Sequence, residues 1–215
     1  MIITKQKDEK TILDYLKGDK KIFIAGCAQC ATVCKTGGEE EISKMAEFLQ
    51  KHDKIITGTD VVDPPCHLVK TKKLFQQHKN EIQEADAILA MVCGDGVQTI
   101  MDGTKGKKVH PGLDTLFLGE VAPNGHFMQK CSLCSECVLD ETGGLCPITL
   151  CPKGLLNGPC GGAKNGKCEV DKDIDCVWIQ IYERLNKLGQ LSKLKKIYPA
   201  RDNTKRINPR KLILK

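Results

Sequence analysis

Residues 21–34 read KIFIAGCAQCATVC. The first six form an apolar run of strand length. Such a run reads as a strand buried on both faces, the kind that parallel sheets use. A helix follows over residues 37–51, GGEEEISKMAEFLQK, with Ile42, Met45, Ala46 and Leu49 on one face. Glu39, Glu40 and Glu41 suit its first turn, where carboxylates complement the helix dipole. Working outward, strands and helices alternate. Residues 11–17 form a short amphipathic helix stopped at Gly18. Residues 54–60 are a second strand, Pro64-Pro65 break the chain, and a helix covers residues 68–84. Residues 87–93 are a third strand. Gly94-Asp95-Gly96 then turn into a helix over residues 97–102, and residues 113–118 read as a fourth strand. This order predicts an α/β fold with a Rossmann-like open parallel sheet and helices on both faces.

That topology gathers the early cysteines. Ligands of open α/β sheets bind beyond the carboxyl ends of the strands. Cys27 follows the first strand directly, Cys66 lies after the second, and Cys93 ends the third. Cys30 and Cys34 continue the first loop. All five therefore fall at one edge of the sheet, which predicts one metal site there. The spacing Cys27-x2-Cys30-x3-Cys34 brings two or three thiolates to one cube, with a distant fourth from Cys66 or Cys93. Five candidates for four places leave at least one as an ordinary small buried side chain. Zinc held by four thiolates fits the same residues. The first strand-to-helix turn lacks G-x-G-x-x-G, and no Walker A motif is present.

The chain has 215 residues, of which 40% are hydrophobic and 4% aromatic. That apolar content supports a core and argues against wholesale disorder. The start, MIITKQKDEK, has no apolar signal region. The longest apolar run, residues 86–94, falls short of the roughly 18 residues of a membrane span. A cytoplasmic location is expected, with no membrane span. The 13 cysteines are odd in number and sit in a chain that is not small. A disulfide framework is therefore a poor reading, and metal ligation the better one.

Eight of the cysteines lie in residues 131–176: Cys131, Cys134, Cys137, Cys146, Cys151, Cys160, Cys168 and Cys176. Eight thiols make two four-ligand sites. The opening C-x2-C-x2-C is like the start of a bacterial ferredoxin run, and Cys146-Pro147 and Cys151-Pro152 are like its closing step. The gap before Cys146 is too long for a ferredoxin repeat, so the pairing of ligands stays open. Glycine, proline and asparagine fill the gaps and leave no room for a hydrophobic core. Metal binding and folding should be coupled there. Val177, Trp178, Ile181 and Leu185 share one face of a closing helix over residues 175–188. The five histidines (His52, His67, His78, His110, His126) read as surface residues, with His67 and His126 next to the cysteines.

Residues 183–215 carry a net charge of +9, so the chain total of +6 is a property of this tail. Its one aromatic, Tyr198, and its diffuse basic residues argue against nucleic acid and for docking to an acidic partner surface. The expected organisation is an α/β lobe over residues 1–125 with one cluster site, a cysteine-rich metal-binding lobe over 126–182, and a basic tail over 183–215. The break is placed at Pro123-Asn124-Gly125.

The stretch CPKGLLNGPCGG, residues 151–162, resembles the signature of the methylenetetrahydrofolate reductase C-terminal domain family. CSLCSEC at residues 131–137 and GGLCP at 143–147 resemble it too. In the first half, GCAQCATVCKTGGE (26–39) and AMVCGDGVQT (90–99) resemble the other lobe of proteins of this kind. The likeness runs from about residue 20 to 180 and is strongest to the small iron–sulfur and zinc subunits of acetogen-type reductases. It implies two to three [4Fe-4S] clusters, with zinc possible at one site. It implies a partner: a flavin-containing TIM-barrel subunit that reduces methylenetetrahydrofolate to methyltetrahydrofolate in the methyl branch of the Wood–Ljungdahl pathway. A further ferredoxin- or NADH-oxidising subunit would supply electrons. All 13 cysteines are then metal ligand candidates, and this chain is a non-catalytic electron-transfer subunit. The competing expectation is a zinc-stabilised binding module that scaffolds a complex.

Overall fold

The computed structural model describes residues 1–104 and 106–213; Lys105 and the last two residues of the basic tail lie outside the described residues. The chain divides into two compact units, residues 1–117 and 118–215.

In the first unit the elements run β1 (Ile2–Gln6), α1 (Glu9–Tyr15), β2 (Lys21–Cys27), α2 (Cys30–Val33), α3 (Glu39–Gln50), β3 (Ile55–Val62), α4 (Leu68–Gln77), α5 (Lys79–Glu84), β4 (Ala87–Met91), α6 (Gly94–Gly103), β5 (Lys108–Pro111) and the start of β6 (Leu113–Ala122). Strands β3-β2-β4-β5 form a four-stranded sheet, parallel throughout. This is the α/β architecture expected from the sequence. Strand β2 is central, and its Ile22, Phe23, Ile24 and Ala25 are fully buried, as are Ile88, Leu89 and Ala90 of β4. A continuous apolar run is what a strand covered on both faces requires. Helix α3 lays Ile42, Met45 and Leu49 onto the sheet. Its first turn is closed by Glu41, whose Oε2 accepts a hydrogen bond from the Gly38 N–H at 3.0 Å.

Two expectations are corrected, and one strand is added to them. The fourth strand of the parallel sheet is β5, whereas residues 113–118 belong to β6, which lies in a separate sheet with β1. The helix expected over residues 68–84 is two helices. They meet at His78 (φ −101°, ψ 32°), whose Nε2 is held 2.8 Å from Asp60 Oδ2. Strand β1 was not anticipated at all.

Asp19, before β2, is almost fully buried and accepts hydrogen bonds from Lys108 Nζ at 2.6 Å and His110 Nε2 at 3.1 Å. It fastens β5 to the sheet. Burial alone would raise the Asp19 carboxyl, but the Lys108 and His110 contacts outweigh it and hold it below the usual carboxylate value. A depressed folded pKa stabilises above the unfolded value of about 3.9 and is lost as pH falls through the folded one. Urea unfolding of the first unit should therefore weaken with acidification below about pH 4. Asp19→Asn should lose about 1–3 kcal/mol at neutral pH and flatten that acid slope. An unchanged slope in the variant would assign the acid response to other groups.

The second unit begins within β6, whose end pairs antiparallel with β7 (His126–Cys131), Val121 opposite Phe127. Pro123-Asn124-Gly125 is the hairpin turn between them. Beyond it the chain is mostly turns, with a one-turn helix α7 (Pro147–Leu150) and a closing helix α8 (Val177–Lys187). The buried apolar cluster here is Val177, Trp178, Ile181 and Leu185. Trp178 Nε1 donates to the Leu155 carbonyl at 3.1 Å, which ties α8 to the 151–162 loop.

Candidate metal centres

Strands β2, β3 and β4 deliver cysteines to the same edge of the parallel sheet. Cys27 ends β2, Cys66 follows β3 and Cys93 precedes α6. The strand order reverses between β2 and β4, so Cys27 and Cys93 flank the topological switch point where open α/β sheets bind ligands. Burial pushes the Cys27 thiol up, and its neighbours Cys30 and Cys93 push the same way. Desolvation, Asp95, Cys93 and Cys27 push Cys66 up. Cys27, Cys30, Cys66 and Cys93 therefore form one electrostatic neighbourhood. Thiols pushed up in this way keep their protons until a cation displaces them.

Cys34 stands one helical turn beyond Cys30. It caps the end of α2, is buried, and places its Sγ 3.8 Å from the Ile2 carbonyl of β1. It is one of the five thiols that compete for four places, and it is buried like Cys27.

Close backbone approach builds this loop. The Cys27 N–H donates to the Gly37 carbonyl at 2.9 Å. A Cβ at Gly37 would stand 1.9 Å from the Met91 carbonyl oxygen, and one at Gly26 would stand 2.5 Å from the Gly37 oxygen. Only glycine lets these three backbones stack.

In the second unit Cys151, Cys160, Cys168 and Cys176 line one cavity of about 20 Å³, together with Trp178 and Glu169. Glu169 Oε1 accepts from the Cys160 thiol at 3.1 Å and also pairs with Lys153. The three-cysteine loop behaves differently. Cys134 is buried, which alone would raise its thiol; contact with the Glu136 backbone and the Arg201 charge outweigh this and hold it below the usual value. Cys137 is exposed, and Cys146 places its Sγ 3.6 Å from Thr149 Oγ1. Leu133 and Ser135 adopt left-handed backbone, φ 54° and 63°, on either side of Cys134.

One local contact repeats in three separate segments. The Gln29 N–H donates to Cys27 Sγ at 3.4 Å, the Leu133 N–H to Cys131 Sγ at 3.3 Å, and the Gly162 N–H to Cys160 Sγ at 3.5 Å. Each sulfur accepts from the residue two positions on. A neutral thiol is a weak acceptor, whereas a metal-bound thiolate is stabilised by such donors.

All 13 cysteines are free thiols. Among the described residues no three His, Cys, Asp or Glu side chains are drawn together as a cage for a metal ion. The sets above are neighbourhoods of thiols, and the donor chemistry fits metals that thiolates hold. Of the histidines, His78 and His110 pair with aspartates, and His52 Nδ1 lies 2.9 Å from the Phe48 carbonyl. His67 and His126 are exposed. Among the described residues no helix is long and apolar enough to cross a membrane.

Two residues that sequence reasoning passed over touch these loops. Arg201 donates to the Cys134 and Glu136 carbonyls, and Asn157 exchanges two hydrogen bonds with Tyr198. The only sequence signals for them were the charge of the tail and the position of Asn157 inside the CPKGLLNGPCGG stretch.

Residues 110–204 match the family model described as methylene-tetrahydrofolate reductase C terminal. The match covers just under half of the chain and extends into the basic tail as far as Thr204, beyond the residues on which the likeness was first read. No curated protein and no solved structure matches the chain.

Proposed function

We propose, from the match of residues 110–204 to the methylene-tetrahydrofolate reductase C-terminal family model, that this chain is the iron–sulfur electron-transfer subunit of such a reductase. The family association points to an oxidoreductase system. The observation that carries the electron-transfer reading is the repeated N–H···S contact at Cys27, Cys131 and Cys160, set among clustered free thiols.

The proposed ligand sets are Cys27, Cys30, Cys66 and Cys93 at the sheet edge; Cys131, Cys134, Cys137 and Cys146; and Cys151, Cys160, Cys168 and Cys176. Bound [4Fe-4S] groups would supply one-electron storage. The chain's own part is to hold them as thiolates, donate backbone N–H groups to the sulfurs, and shield the buried members from water. The carbon chemistry, from methylenetetrahydrofolate to methyltetrahydrofolate, belongs in this reading to a flavin-carrying TIM-barrel partner. Electrons would reach this chain from ferredoxin or from a further NADH-oxidising subunit. A reducing, cytoplasmic setting suits 13 free thiols. The Wood–Ljungdahl methyl branch is the proposed metabolic place.

A second reading rests on one dimension. The cavity shared by Cys151, Cys160, Cys168 and Cys176 is about 20 Å³. That is close to the space for one water-sized occupant, which favours a single zinc ion there. Extended to every set, this becomes the zinc-stabilised scaffold.

Anaerobic purification followed by iron, sulfide and zinc analysis decides between them, with EPR after dithionite. The expected result is about eight to twelve irons per chain and fast-relaxing reduced-cluster signals. Cys93→Ala should lose the iron of one cluster, and Cys34→Ala should keep the full content. A colourless protein with two or three zinc ions and no iron would end the electron-transfer reading.

A further inference from the structure

The basic tail is not free. Its path returns to the three-cysteine loop and is fastened at four points. Asn157 Nδ2 donates to the Tyr198 carbonyl at 2.8 Å, and the Tyr198 N–H donates back to Asn157 Oδ1 at 2.8 Å. Arg201 Nη2 donates to the Cys134 and Glu136 carbonyls at 3.3 and 3.1 Å. Lys205 pairs with Glu136 at 3.1 Å. Arg210 Nη1 donates to the Leu133 carbonyl at 2.9 Å and to Ser135 Oγ at 2.5 Å. Leu133, Cys134, Ser135 and Glu136 are each held by a tail cation.

Two features show that this is more than a surface strap. Left-handed backbone at Leu133 and Ser135 is unfavourable for side chains other than glycine and persists only where the surroundings hold it. Arg210 bonds both of these residues. Arg201, in turn, is under-used. Its Nε and Nη1 are buried with no hydrogen-bond partner among the described residues. A guanidinium always carries its charge and offers five donors, and burying unpaired ones is costly unless an anion receives them. Arg201 and Cys137 line the same cavity, of about 180 Å³. The carboxylates on that cavity, Glu136 and Glu141, are engaged by Lys205 and Lys196.

We propose that the tail is part of the metal centre at Cys131, Cys134 and Cys137. It locks the loop in its ligating shape, and Arg201 supplies positive charge and two further N–H donors to the anionic group the thiolates hold. Asn157 sets the register by gripping the tail three residues ahead of Arg201. This assigns Arg201 and Asn157 as positioning residues, and it rests on the electron-transfer reading above. One-electron reduction adds a negative charge to the held group, so an adjacent cation favours the reduced form.

The test uses the full chain, purified anaerobically, as Arg201→Gln and Arg201→Lys, with Cys131→Ala as the reference for loss of this site. Iron content and EPR-monitored redox titration with dithionite are the readouts. Arg201→Gln should shift the oxidised-to-reduced ratio of one cluster about tenfold toward oxidised at a given ambient potential, which is about 59 mV for one electron. Arg201→Lys should restore most of that shift. Selective loss of one cluster's iron in Arg201→Gln, with retention in Arg201→Lys, also supports the clamp. Unchanged iron and unchanged potential in Arg201→Gln overturn it. If Cys131→Ala contains as much iron as the unaltered protein, no cluster sits at this loop. The cluster assignment itself then fails, and the clamp with it.

Discussion

Stripping the proposed metal is expected to unfold residues 118–215 while residues 1–117 stay folded. The reason is the size of the second unit's apolar cluster. Val177, Trp178, Ile181 and Leu185 are its buried apolar side chains on α8. Burying four such side chains is worth roughly 6–12 kcal/mol. The conformational entropy lost on ordering residues 118–215 is larger than so small a cluster can offset. In the proposed reading, ligation of the thiols supplies stability that this cluster does not, so metal binding and folding are coupled. Trp178 is the only tryptophan of the chain, so its emission reports this unit alone. Chelation under anaerobic conditions should shift its emission to the red and open residues 118–215 to protease. The helical signal of the first unit should survive. A chelated protein with unshifted emission and an intact second unit would show that side-chain packing suffices.

Gly37→Ala is expected to destabilise the first unit by about 1–3 kcal/mol or more and to release the Cys27 loop. The new methyl group would sit 1.9 Å from the Met91 carbonyl oxygen, which belongs to strand backbone and has no rotamer to yield. Relief requires moving residue 37 away from β4. That breaks the hydrogen bond from the Cys27 N–H to the Gly37 carbonyl. The loss of sheet-edge metal should then accompany the loss of stability. Gly94→Ala is the contrast, because its Cβ would meet Thr115 Oγ1 at an ordinary 3.4 Å. It should cost less than about 1 kcal/mol. Equal behaviour of the two variants in urea unfolding would mean that the Met91 contact relaxes freely.

The central part of the fold was legible because its signals are local. Strand β2 is a buried apolar run, and α3 shows a clear helical face with carboxylates in its first turn. Strand β5 was not legible: it is four residues, KVHP, with none buried and a terminal proline. Strand β1 alternates weakly, since Ile3 and Thr4 are both buried although they point to opposite sides. The break at His78 depends on Asp60, a residue of another element, so helical periodicity carried no trace of it.

The same division holds for the sites. That Cys27, Cys66 and Cys93 reach one sheet edge follows from strand ends alone. Which thiol is spare does not, because a single turn of α2 separates Cys30 at its start from Cys34 at its end. The tail was beyond sequence reasoning for a different reason. Its partners lie 41 to 77 residues away, and charge composition names no partner.

The hydrogen bonds between the tail and the three-cysteine loop also set an order of events during synthesis. Arg201 follows Cys134 by 67 residues, and Arg210 follows Leu133 by 77. At about 5–20 residues per second, the loop waits roughly 3–15 s on the ribosome before its fastening exists. During that interval Cys131, Cys134 and Cys137 are nascent-chain thiols, open to oxygen and to whichever metal arrives first. In the proposed reading metal delivery to these thiols falls within that interval, and slow codons between residues 137 and 201 would lengthen it.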